Sequence, residues 1–123
     1  TLGAVNTIDR IIDVFPPNQQ QQVRVQLSMT LTSVVSQQLL RKRDGSLIPA
    51  FEIMHITSGI RNMIREGKTY HIDNVIQTNS CMGMLGMDSY IFNLYERGLI
   101  DATMALDRCQ NSEQMKRRLN MKD

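Results

Sequence analysis

The 123 residues are 41% hydrophobic and 21% charged, with a net charge of +2. That is the composition of one globular domain with a modest core, not of a disordered chain. The charge is too small to imply nucleic acid or an anionic membrane, and no apolar run approaches the ~20 residues that cross a bilayer, so direct membrane insertion is not expected. Cys81 and Cys109 stand alone without C-x-x-C pairing, and the opening residues carry no basic region followed by an apolar core. Free thiols in the cytoplasm, without a signal peptide, are the expectation. Nine methionines read as flexible core filler.

Taken in order, the first fifteen residues read as a helix stopped by Pro16-Pro17, with Val5, Ile8, Ile12 and Phe15 along one face. Asn18 is placed to cap a second helix. Val23, Leu27, Leu31, Val34 and Val35 then keep helical spacing over four turns, the strongest periodic signal in the chain. From Gln38 the pattern changes. Asp44-Gly45 separates two β-prone runs and predicts a small hairpin near 38–54, with Pro49 marking an edge or bulge. The Arg41-Lys42-Arg43 triplet reads as charge that keeps an edge hairpin from aggregating, in preference to a nucleic-acid contact.

Residues 57–67, T-S-G-I-R-N-M-I-R-E-G, make a self-contained helix. Thr57 or Ser58 caps its start and Gly67 suits the left-handed residue past its end. Ile60, Met63 and Ile64 form an apolar stripe that should be buried, while Arg61 and Arg65 share one flank and Asn62 and Glu66 another. The helix dipole disfavours an anion in the last turn by roughly 0.3–1 kcal/mol, so Glu66 should have a cationic partner, expected on a neighbouring domain or subunit. Ile72, Val75 and Ile76 suggest a further short helix, followed by a glycine-punctuated turn around Gly83 and Gly86. Asp88 is placed to cap a helix running to Arg97 and closed by Gly98. Leu99-Ile100-Asp101 opens a last pair of short helices, the second capped by Ser112 and ending in Lys116-Arg117-Arg118. The fold class is therefore mainly α with one small β-hairpin.

No reaction assembles from these residues. His55 and His71 lack carboxylates or cysteines at metal-ligand spacing and read as structural, so neither a catalytic residue nor a metal site is expected. The sequence contains no G-x-S-x-G, no H-E-x-x-H and no G-x-x-x-x-G-K-[ST], nor an acidic residue ending an apolar strand to hold Mg²⁺.

G-I-R-N-M-I-R-E (Gly59, Ile60, Arg61, Asn62, Met63, Ile64, Arg65, Glu66) resembles the A-I-R-N-L-I-R-E signature of bacterial type IV pilus retraction ATPases. It departs at Gly59, which weakens a helix by up to about 1 kcal/mol relative to Ala, and at Met63, which preserves volume. T-I-D-R-I-I-D-V-F-P-P, Q-x-V-R-x-Q-L, V-V-S-Q-Q-L-L, F-E-I-M, V-I-Q-T and G-M-x-x-M-D extend the likeness over nearly the whole chain. The resemblance implies that residues 1–123 are a C-terminal fragment of an α/β RecA-like domain. The Walker A, acidic and histidine elements would lie before Thr1, leaving the fragment alone non-catalytic and without tight ATP binding. For the parent protein it implies ATP with Mg²⁺, a hexameric ring of identical subunits and mechanical disassembly of pili. It also implies contact with inner-membrane platform proteins at the pilus base, in the cytoplasm peripheral to that membrane. It suggests that Leu40 and Arg41 approach the adenine. The hairpin closes through Arg43-Asp44-Gly45 without the four-cysteine zinc element of the extension and type II secretion relatives, which favours the retraction branch. The alternative is a stand-alone basic helical module that binds nucleic acid or protein, with a steep salt dependence in the former case.

Overall fold

The computed structural model describes residues 3–79 and 83–120. Helix α1 (Ala4–Asp13) and helix α2 (Pro17–Thr30) are divided at the proline pair. Pro17 opens α2 from the first helical position, where the N–H it lacks would have had no partner. Asn18 thus lies inside α2 and caps nothing. Helix α2 also ends earlier than the spacing predicts: Leu31 is already extended, and Val34 and Val35 belong to a strand. Pairing with a partner strand overrides an apolar spacing that happens to continue, and the β-branched Val34-Val35 pair suits the pleated surface.

Strand β1 (Ser33–Arg41) therefore starts before the expected hairpin boundary, and pairs antiparallel with β2 (Leu47–His55), from Ser33 opposite His55 to Arg41 opposite Leu47. The turn forms where Asp44-Gly45 places it. Lys42 N–H donates to Ser46 O at 2.7 Å, Asp44 Oδ1 accepts from Ser46 N–H at 2.9 Å, and Gly45 takes φ 89°, a left-handed conformation that other residues adopt only with strain. Outside the ladder, Ile53 exchanges two backbone bonds with Leu85, at 2.8 and 2.9 Å. By strand alternation Pro49, four residues away, turns its nitrogen to the same outer edge, so the ladder loses no bond to it.

The inward residues of the hairpin alternate as a pleated surface requires: Ser36, Gln38 and Leu40 on β1, Ala50, Glu52 and Met54 on β2. Met54 enters one apolar cluster, with Ala4, Ile8 and Ile12 of α1, Ile60 and Ile64 of α3 (Ser58–Glu66), and Ile72 and Ile76 of α4 (Ile72–Thr78). A single 3-10 turn, Thr69–His71, joins α3 to α4 and is tied to α1 by Thr69 Oγ1 donating to Asp9 at 2.8 Å. Leu40 and Ala50 enter a second cluster, with Met87, Ile91 and Leu94 of α5 (Met87–Glu96), Ala105 of α6 (Ala102–Arg108) and Met115 of α7 (Ser112–Arg118). One hairpin thus floors both cores, with the polar Ser36, Gln38 and Glu52 between them.

The C-terminal caps fall partly where the sequence places them. Gly98 has φ 76° after α5, and Asp101 caps α6 by accepting from Met104 N–H at 2.8 Å. Asn111, not Ser112, caps α7, accepting from Gln114 N–H at 3.1 Å. Gly86 occupies the cap position of α5, and Asp88 is already inside the first turn. Its carboxylate reaches away to take Gln110 N–H at 2.7 Å and Asn111 N–H at 2.9 Å, a stronger use of an anion than a cap of its own helix. None of the described helices is long and apolar enough to cross a membrane.

Ile60 and Ile64 are wholly buried, whereas Met63 is only half-buried. Ile60→Ala or Ile64→Ala should cost about 2–5 kcal/mol in urea unfolding, and Met63→Ala clearly less.

Candidate functional site

Helix α3 forms because its ends are specified locally. Thr57 Oγ1 accepts from Ile60 N–H at 3.2 Å, and Gly67, at φ 74°, receives the chain in the left-handed conformation. With Ile60 and Ile64 fixed in the core, the polar residues take defined directions. Arg61 is half-buried and its Nη1 donates to Ser28 O of α2. Ser28 is among the last four residues of that helix, whose carbonyls have no helical partner. Arg24 of α2 in turn lies against the end of α3, its Nε 3.5 Å from where a β-carbon on Gly67 would stand. Each helix thus presents an arginine to the negative end of the other. Gln21 Nε2 adds a bond to Arg65 O at 3.0 Å.

The rest of the signature faces outward. Arg65 is exposed and donates through Nη2 to Asn62 Oδ1, one turn back. Glu66 finds its cation close by: Lys68 Nζ stands 3.7 Å from its carboxylate, and both side chains are more than half exposed, at 56% and 55%. Gly59 is exposed as well, and a β-carbon there would meet only Thr57 Oγ1, at an ordinary 3.9 Å. The Leu40–Arg41 pair lies at the opposite end of the hairpin, against the second cluster. Leu40 is wholly buried, so only Arg41 offers a side chain to a ligand, and its Nη1 donates to Gly45 O at 2.8 Å.

Sequence reasoning missed a second constellation. An open cleft of about 770 Å³ is lined by Glu52, Asp73, Asp88, Gln110, Glu113 and Arg117, among others. Glu52, only 3% exposed, accepts from Ala4 N–H at 2.6 Å through Oε1 and from Met87 N–H at 3.0 Å through Oε2. One carboxylate thereby closes the N-termini of both α1 and α5, where N–H groups lack helical partners and the dipole favours an anion. Burial pushes the Glu52 carboxyl up; the bonds from Ala4 and Met87 offset part of this, and the charges of Asp73 and Asp88 raise it further. Burial, with the charge of Asp88, pushes Asp73 up too. Gly3, at φ 90°, admits the close approach: a β-carbon there would stand 2.7 Å from Gln110 Nε2 and 3.3 Å from Glu52 Oε1. The available signal was the alternation of A-F-E-I-M, which sends Glu52 inward with Ala50 and Met54.

Among the described residues no three of His, Cys, Asp and Glu are grouped to hold a metal ion. His55 and His71 are exposed, the latter with its ring 4.3 Å from that of Tyr70. Cys109 is half-buried with its thiol donating to Leu106 O, and Cys81 lies outside the described residues.

No family model matches the chain. It is 44% identical over 116 residues to a twitching motility protein of Neisseria gonorrhoeae, covering 94% of this chain and 31% of that protein. It is 41% identical over 113 residues to the type IV pilus retraction ATPase PilT of Pseudomonas aeruginosa, covering 92% and 33%. A crystal structure of the pilus retraction motor PilT with bound ADP superimposes with a TM-score of 0.78 at 38% identity, over 95% of this chain and 32% of that one. The Legionella pneumophila ATPase DotB shares the fold, with a TM-score of 0.67 at 16% identity. The architecture is therefore that of the C-terminal part of the PilT ATPase domain, a fold that DotB shares. Within that class the chain is a homologue of the twitching-motility ATPases named PilT, and spans about a third of the length of the relatives it matches.

Two outcomes follow from this geometry. Arg61→Ala removes a charged bond at a helix end and should cost about 1–2 kcal/mol, whereas Arg65→Ala and Glu66→Ala should stay within ~0.5 kcal/mol, read by urea unfolding. For Glu52 and Asp73 the folded-state pKa lies above the unfolded one, so the fold binds the proton more tightly. Their contribution is full below the ordinary carboxylate range and is lost as pH rises through the raised values. Glu52→Gln should flatten that fall in a pH series of melting temperatures. It should also lower stability at neutral pH, because the amide oxygen can accept from one of Ala4 and Met87 while the amide nitrogen faces the other and cannot accept.

Proposed function

We propose that this chain is the C-terminal part of the ATPase motor that powers type IV pilus retraction. Its role is to carry the retraction-signature helix, and it is non-catalytic alone. The supporting observation is the division of α3. Ile60, Ile64 and Arg61 anchor the helix to the core and to α2, while Asn62, Arg65 and Glu66 face outward with only local partners. A helix held rigidly on one side and polar on the other suits a contact that is made and released as the motor turns over.

In this reading the parent is a cytoplasmic hexameric ring, peripheral to the inner membrane, that works against the platform proteins at the pilus base. The parent's ATP and Mg²⁺ do not fit this chain's own residues. Its sequence contains no phosphate-cradling G-x-x-x-x-G-K-[ST], and Leu40 is closed inside the core. The exposed Arg41 fits at most the edge or face of the base.

In the full-length parent, Arg65→Ala and Glu66→Ala should leave folding and ATP hydrolysis near wild type while abolishing twitching. Normal twitching by both variants would refute the assignment. Titration calorimetry of the 123-residue chain with Mg-ATP should show no micromolar binding. Such binding would place a nucleotide site within these residues.

A further inference from the structure

Along the seam between α2 and α3, positive charge is unbalanced. The carboxylate–cation pairs within 4.0 Å among the described residues are Lys42–Asp44 and Lys68–Glu66. Arg24, Arg61 and Arg65 therefore have no carboxylate partner among those residues. Their positions are fixed by the packing. Gln21 is bonded to Arg65 O, Ser28 O accepts from Arg61, and Arg24 lies one turn from each of these on α2, against Gly67. Arg61 spends a donor on Ser28, which leaves the half-buried Arg24 and the exposed Arg65 as the cations of the seam without a carboxylate, beside the Lys68–Glu66 pair. The side chains bonded to Arg65 along the seam are carboxamides, Gln21 on its carbonyl and Asn62 on its guanidinium.

We propose that the α2–α3 seam is a docking surface for an acidic protein segment, whose carboxylates are taken by Arg24 and Arg65. The guanidinium fork matches a carboxylate bidentately, and an arginine whose charge is already partly desolvated against a neighbouring helix loses less on pairing. Glu66 decides against a polyphosphate backbone. A nucleic acid laid along the seam would meet that carboxylate, whereas a protein segment of mixed charge can set a cation beside it. The chain's net charge of +2 points the same way. The inference rests on reading the outward side of α3 as a contact surface, and names the chemistry of the partner that the surface takes.

The test is fluorescence anisotropy on the 123-residue chain at low salt, with a labelled helical Glu/Ala peptide carrying glutamates four residues apart. The matched Gln/Ala peptide and a short DNA duplex serve as competitors. Wild type should bind the Glu peptide and release it as salt rises, and the Gln peptide should not compete. Arg65→Gln alone should weaken binding several-fold, and Arg24→Gln with Arg65→Gln about tenfold or more. Arg97→Gln with Arg108→Gln, which removes two exposed arginines outside the seam, should leave binding unchanged. The proposal is overturned by no measurable binding of the Glu peptide, by equal binding of the Arg24/Arg65 variant, by tighter binding of the duplex, or by self-association of the chain through this seam. None of these measurements involves pilus retraction, so a failure here is distinguishable from a failure of the motor assignment.

Discussion

The carboxylate of Glu52 is the contact on which the arrangement of the two cores depends. It sits on the inner face of the hairpin, between the cluster around Met54 and the cluster around Leu40, and receives the first N–H groups of α1 and α5. Without it, two buried donors and a polar strip lie between two apolar masses that have no direct reason to keep their mutual position. With it, the strip becomes a joint: α1 of the first core and α5 of the second are fixed to one strand by one side chain. Asp88, the residue after Met87, repeats the device by holding the linker from α6 to α7. Both carboxylates use backbone N–H groups as their countercharge, and for Glu52 this offsets part of the cost of burial.

The signature helix stands on that joint. Its inward stripe belongs to the core that α1 and Met54 share, and its Arg61 closes the end of α2. Arg61 and Arg65 carry the same charge on the same flank of one helix and nevertheless have different work. One is spent on internal architecture and the other is turned outward. In a pilus retraction motor this division would let the outward residues change partners without disturbing the fold.

Much of this was legible because it is local. Thr57 and Gly67 fix the ends of α3 through bonds within a few residues, Asp44-Gly45 fixes the hairpin turn, and alternating or helical spacing marks the buried stripes. What was not legible depends on partners far along the chain. The continuing helical spacing from Val23 to Val35 hid the boundary between α2 and β1, because only strand pairing with Ile53 and Met54 decides it. Glu52 looked like an ordinary strand residue, since its two donors lie 48 and 35 residues away. Asp88 looked like a cap for the same reason, and Glu66 looked unsatisfied because Lys68 lies just past the glycine that ends the helix.

Amide hydrogen exchange at Ala4 and Met87 tests the central joint most directly. Glu52 binds both amides, so they should open together, with the same protection, and lose it together in Glu52→Ala, which removes both acceptor oxygens, while amides elsewhere in α5 change less. Independent exchange of the two amides, or protection unchanged in Glu52→Ala, would contradict the account that one carboxylate holds the two cores in register.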